Sequence, residues 1–152
     1  MRLARLDELS GVDITPAMLN KAKERVEKHG WKNVELLEAD VNQLDLPQSF
    51  DGAICCHALS LMPAYREVVQ RMVKMLKIGG RLAVMDIHEV TGAMKFMNGV
   101  LARLTRPFYL GDGREGPSHK SYLVMKELLS DVEVRTYYFD QIYVASGTKT
   151  RD

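Results

Sequence analysis

Four polar side chains stand where short apolar runs stop: Asp13 after "LSGV", Asp40 after "VELLEA", His57 after "GAICC" and Asp86 after "RLAVM". Each run is bounded by turn or helix signals, as a strand buried in an open α/β sheet would be. Such sheets bind ligands at the carboxyl ends of their strands. Four groups able to accept hydrogen bonds or move a proton are therefore expected along one rim, although Asp and other polar residues also serve turns and helix caps there. Asp13 carries the most specific chemistry. In nucleotide-binding α/β folds an acid at the end of the second strand accepts hydrogen bonds from ribose hydroxyls, but a carboxylate just before a helix could instead favour its positive end.

The elements that must position these groups alternate. Thr15 followed by Pro16 is a helix start, with a side-chain oxygen for an orphan amide and a ring already set to helical φ. Leu19, Ala22 and Val26 share one face and Gly30 is placed to close the helix in a left-handed conformation, which predicts a helix over 16–29. Val34 to Ala39 and Gly52 to Cys56 read as buried parallel strands. Val68, Val69, Met72, Val73 and Leu76 recur at helical spacing before Gly79 and Gly80 break the pattern, and Arg81 to Met85 is the next strand. Phe96, Met97, Val100, Leu101 and Leu104 mark an amphipathic helix over 93–104, and Tyr122, Met125, Leu128 and Leu129 a last one. The tail "VEVRTYYFDQIYVASGTK" predicts an antiparallel hairpin turning near Asp140 and Gln141. The fold class is α/β: a mostly parallel sheet covered on both faces, with a C-terminal antiparallel hairpin, in a single domain over 1–152.

Composition narrows the function. A chain of 152 residues, 46% hydrophobic and 27% charged, is that of a globular protein able to bury a core without disulfides or metals. With 21 basic and 20 acidic side chains, no global field draws it to nucleic acid or anionic lipid. No apolar stretch is long enough for stable membrane insertion, and the first residues lack the apolar segment of a signal peptide. Cys55 and Cys56 sit side by side in an apolar run, which suits a reduced strand interior and a cytoplasmic location. Neighbours along a strand point to opposite faces, so Cys55, Cys56 and His57 cannot converge on one ion, and no metal site is expected. "GDGREG" over 111–116 fits G-x-G-x-x-G by letter, but lacks the strand before it and the helix within it that phosphate binding needs. It is expected to be a mobile loop over the rim. The nine methionines read as core filling.

Three blocks in order, "GVDITPAMLNKAKER", "ELLEADVNQLDLPQSFDGAICCHALSLM" and "MVKMLKIGGRLAVMDI", resemble the class I S-adenosylmethionine-dependent methyltransferases over about residues 9–90. The resemblance implies a Rossmann-like sheet with S-adenosylmethionine as cofactor. It makes Asp13 the ribose acid and Ile14 an apolar neighbour of the adenine. Asp40 would bind the adenine amino group, with the backbone amide of Val41 beside it. His57 would lie in the loop near the transferred methyl, as a cofactor contact and as the first candidate for a base or acceptor-positioning group, with His88 and His119 behind it. The sulfonium supplies the leaving group, so the protein's task would be alignment and, for O or C acceptors, proton removal. The tail and "DIHEV" most resemble ubiquinone/menaquinone and phospholipid methyltransferases, which implies a small, apolar acceptor.

The family places a first strand and a glycine-rich loop before the ribose acid. Here twelve residues precede Asp13, and "MRLARLDELS" contains no glycine. The sheet is thus expected to be truncated at its N-terminus, between the second and fourth strands of the family order. Those strands should either close up or leave an edge that a second copy covers in a homodimer. The alternative function is a catalytically inactive remnant serving as a homodimeric or partner-binding module.

Overall fold

The computed structural model describes residues 7–87, 120–138 and 141–151. The chain divides into two compact units, Met1–Leu44 and Asp45–Asp152. The predicted helix over 93–104, the 111–116 loop, His88 and His119 lie outside the described residues.

In the N-terminal unit β1 (Leu9–Asp13) and β2 (Val34–Glu38) pair in parallel, from Leu9 opposite Val34 to Asp13 opposite Glu38, and α1 (Pro16–His29) connects them. Both helix ends follow from local chemistry. Pro16 occupies the first turn, where a missing N–H costs nothing. Gly30 adopts φ 64° and ψ 25°, its N–H reaching the Glu27 carbonyl at 3.1 Å while that of Trp31 reaches Val26 at 3.1 Å. Thr15 departs from expectation: its side chain makes no capping bond. Leu19, Ala22 and Val26 form the half-buried stripe of α1, as their spacing predicts. No described residue of this unit is fully buried, so β2, expected as a buried strand, is half-exposed. One helix on two strands is too thin a layer to enclose either.

The C-terminal unit holds β3 (Phe50–Cys56), a 3-10 turn (Leu59–Leu61), α2 (Tyr65–Met75), β4 (Leu76–Ile87), α3 (Ser121–Leu128), β5 (Ser130–Tyr137) and β6 (Ile142–Thr148). Its sheet runs β3-β4-β6-β5, with β3 and β4 parallel and the other two ladders antiparallel. The predicted C-terminal hairpin is β5 and β6. Leu82 and Val84 of β4 and Tyr143 and Ala145 of β6 alternate onto one face, where α2 sets Val68, Val69, Met72 and Val73 and α3 sets Val124 and Met125, all buried. An exposed ion pair, Arg66 to Glu127 at 2.7 Å, links the two helices. Among the described residues both helices cover this same face, whereas helices on both faces were expected. Ala83, Met85, Ile142 and Val144 stand half-buried on the other.

One further expectation is corrected. Gly79 and Gly80 do not separate helix from strand; β4 begins at Leu76, directly after α2, and contains both glycines. A register shift in the β3–β4 ladder lies beside them, between Phe50 and Gly52. A Cβ on Gly80 would lie 2.9 Å from the Lys77 carbonyl oxygen and 3.2 Å from those of Phe50 and Asp51. Among the described residues β1 with β2 and β3 with its neighbours form separate ladders. One edge of β3 has no ladder partner among the described residues.

Candidate functional site

Parallel pairing sets the carboxyl ends of β1 and β2 side by side. The Ala39 N–H donates to the Asp13 carbonyl at 3.2 Å, so Asp13 and Asp40 share one rim. Asp13 Oδ1 accepts the Thr15 N–H at 2.8 Å. Asp13 Oδ2 has no partner among the described residues, so one oxygen fixes the half-buried carboxylate and the other is left to a ligand. Beside it Ile14 is 63% exposed, a large apolar side chain held in water at the rim.

Asp40 is committed locally. Its Oδ1 accepts from Asn42 N–H at 2.9 Å and Asn42 Nδ2 at 2.8 Å, and its Oδ2 from Gln43 Nε2 at 3.4 Å. The "DVNQ" turn supplies those donors, an Asx-type arrangement. The backbone N–H of half-buried Val41, inside that turn, has no partner among the described residues.

In the C-terminal unit His57 follows β3 with a left-handed φ of 52°, which non-glycine residues adopt rarely. Its N–H donates to the Met85 carbonyl at 2.8 Å and its side chain is exposed. Asp86 is not a rim group. It is fully buried on the face of Leu82 and Val84, because β4 continues through Ile87 and the two-residue alternation turns it inward. Asp86 Oδ2 accepts the Ser60 N–H at 2.9 Å and Oδ1 the Ile87 N–H at 2.8 Å.

A buried polar cluster surrounds this carboxylate, and its members were not singled out from the sequence as a group. Tyr143 Oη and Ser121 Oγ lie 2.6 Å apart, with the Tyr122 ring edge-on to Tyr143 at 5.2 Å. Burial foremost, then the charges of Asp86 and Cys56, push the Cys55 thiol up to about 11, against smaller opposing help from the backbone N–H groups of Leu59 and Ala58. Burial likewise pushes Tyr143 up to about 12; the Ser121 hydrogen bond opposes this and the Asp86 charge adds to it. Both groups are neutral near pH 7, so Cys55 is no thiolate nucleophile. The signal for the cluster was a tyrosine and an aspartate at core-facing positions of adjacent strands, Asp86 opposite Tyr143.

Residues 2–131 match a family model described as a methyltransferase domain. The chain belongs to the methyltransferase-domain family. Demethylmenaquinone methyltransferase from Listeria welshimeri is 34% identical over 82 residues, 53% of this chain and 35% of that protein. Phosphatidylethanolamine N-methyltransferase from Cereibacter sphaeroides is 31% identical over 80 residues, 51% of this chain and 39% of that protein. The aligned part of the chain thus spans less than two fifths of the length of these curated relatives. Two solved structures share the fold. The N-methyltransferase NodS from Bradyrhizobium japonicum, in complex with S-adenosyl-L-homocysteine, superimposes with a TM-score of 0.69 at 16% identity, over 95% of this chain and 67% of that one. A protein from Pyrococcus horikoshii does so at 0.68 and 18% identity, over 94% and 74%. The methyltransferase domain therefore has the Rossmann-like α/β fold of class I, with a mixed sheet closed by the antiparallel β5–β6 hairpin.

Proposed function

We propose that the chain is an S-adenosylmethionine-dependent methyltransferase acting on a small, apolar acceptor. One observation carries this: at the carboxyl end of β1, Asp13 is oriented by the Thr15 N–H and keeps Oδ2 without a partner among the described residues, beside exposed Ile14. The residues present fit the adenosine part of the cofactor. Asp13 Oδ2 would accept from a ribose hydroxyl, Ile14 would lie against the adenine, and the Val41 N–H would donate to a ring nitrogen. Asp40 would hold the turn that presents Val41, and its oxygens would be shared between the adenine amino group and Asn42. When bound, the cofactor supplies a methyl group activated on a sulfonium. His57, exposed on its left-handed turn, would position the acceptor or take its proton.

The NodS complex supports this cofactor, and the two named relatives support an apolar acceptor. The free thiols of Cys55 and Cys56 favour a reducing, cytoplasmic setting. No described helix is long and apolar enough to cross a membrane. Titration calorimetry with S-adenosylmethionine and S-adenosylhomocysteine tests the proposal. Both should bind, and Asp13→Ala, checked as folded by circular dichroism, should weaken binding at least about tenfold, as expected for a lost charge-assisted hydrogen bond. No heat at high ligand concentration would overturn it.

The outer edge of β3 favours a second function, that of a non-catalytic homodimer. That edge has no ladder partner among the described residues, and its strand carries Ile54 at 78% exposure. Two copies could pair β3 to β3 about a two-fold axis. A monomer at every concentration in sedimentation would remove this alternative.

A further inference from the structure

Asp86 is fully buried, yet among the described residues the partners of its carboxylate are backbone N–H groups. A buried carboxylate is costly unless its oxygens are satisfied. The same face of β4 elsewhere carries Leu82 and Val84, and an apolar residue at 86 would pack there without that cost. What the carboxylate adds is a long-range bond to Ser60, 26 residues away, in the turn behind His57.

The rest of that loop is gripped from the same side. The His57 N–H is held by the Met85 carbonyl, the residue before Asp86. The Leu61 N–H returns to the Ala58 carbonyl at 3.1 Å. The His57 and Ser60 amides thus turn inward toward β4, while the His57 side chain stays exposed with its backbone at φ 52°. An uncommon conformation of this sort persists where the surroundings over-determine it.

We propose that Asp86 is a positioning residue: its carboxylate holds the 57–61 loop in the shape that presents His57 at the carboxyl end of β3. What the loop serves rests on the function proposed above; that it is held rests on the geometry alone. Asp86→Asn keeps the side chain's size but removes the charge and sets an amide donor against one of two N–H donors. Ser121→Ala is the control, because it breaks a bond of the same buried cluster without touching the loop.

Amide hydrogen exchange by NMR on the full chain provides the test. In Asp86→Asn, exchange at Ser60 and His57 should rise at least about tenfold relative to β4 amides, the fold-change of one lost buried hydrogen bond. Ser121→Ala should lower the melting temperature and leave the exchange of these two amides, relative to β4, unchanged. The proposal is overturned if Ser60 exchange is unchanged in Asp86→Asn, or if the control reproduces the effect. Should Asp86→Asn not fold, the unmodified chain decides: a Ser60 amide as slow as those of β4 supports the hold, and one exchanging at an open-loop rate refutes it. If the unmodified chain binds no ligand, the methyl-transfer function fails, while Ser60 exchange still decides whether Asp86 holds the loop.

Discussion

Raising the pH should unfold the C-terminal unit through its buried cluster. Burial holds Cys55 protonated up to about 11, against an ordinary 9.0, and Tyr143 up to about 12, against 10.0. The unfolded chain releases these protons at the ordinary values, so the stabilisation is whole below about pH 9. It is lost as the pH climbs to about 11 for the thiol and from about 10 to 12 for the phenol. Two pK units correspond to roughly 3 kcal/mol for each group. The two shifts are coupled, each ionisation raising the cost of the other in the folded unit, so the joint loss is on the order of 5 kcal/mol. A domain with about 5 to 15 kcal/mol of net stability would show this plainly. Urea unfolding followed by far-ultraviolet circular dichroism, stepped from about pH 8 to 12, measures it. Trp31 is the single tryptophan and belongs to Met1–Leu44, so its fluorescence follows that unit separately. Cys55→Ala should remove the lower part of the decline and Tyr143→Phe the upper part. An equal slope in the unmodified protein and the double variant would refute the reasoning, since the other alkaline titrations are common to both.

Other substitutions probe the frame that carries the site. Gly80→Ala should cost about 1 to 3 kcal/mol in urea unfolding, because the new methyl would meet three backbone oxygens at 2.9 to 3.2 Å. Leu82→Ala, on a fully buried side chain, should cost about 2 to 5 kcal/mol in the same experiment. Glu127→Gln should leave the neutral-pH midpoint unchanged within error. Arg66 holds the Glu127 carboxyl below its usual range, so any contribution of the pair is present at neutral pH and fades as acid protonates it, but both partners stand in water.

The elements legible in the sequence are those that local rules specify. Pro16 and Gly30 bracket α1 because each acts through its own backbone. The β5–β6 hairpin follows from alternation and a turn. The junction of α2 and β4 was misread because paired glycines usually punctuate, whereas Gly80 lies inside β4, where a side chain would meet the Lys77 carbonyl oxygen at 2.9 Å and those of Phe50 and Asp51 on β3 at 3.2 Å. Burial of β2 and β3 was overestimated for a related reason. A run such as "AICC" reads alike whether or not anything covers it.

The candidate site divides along the same line. Asp13 lies where a strand end places it, and its turn to Thr15 is local. Asp86 was assigned to the rim because β4 was ended two residues early, yet positions 82, 84 and 86 already shared the period that points inward. An aspartate in that register has to find donors. One comes from the next residue, and the other from a turn that only the folded sheet brings near. The left-handed turn at His57 and the buried carboxylate are therefore one feature written in two separate stretches of chain, and pattern along either stretch could not join them.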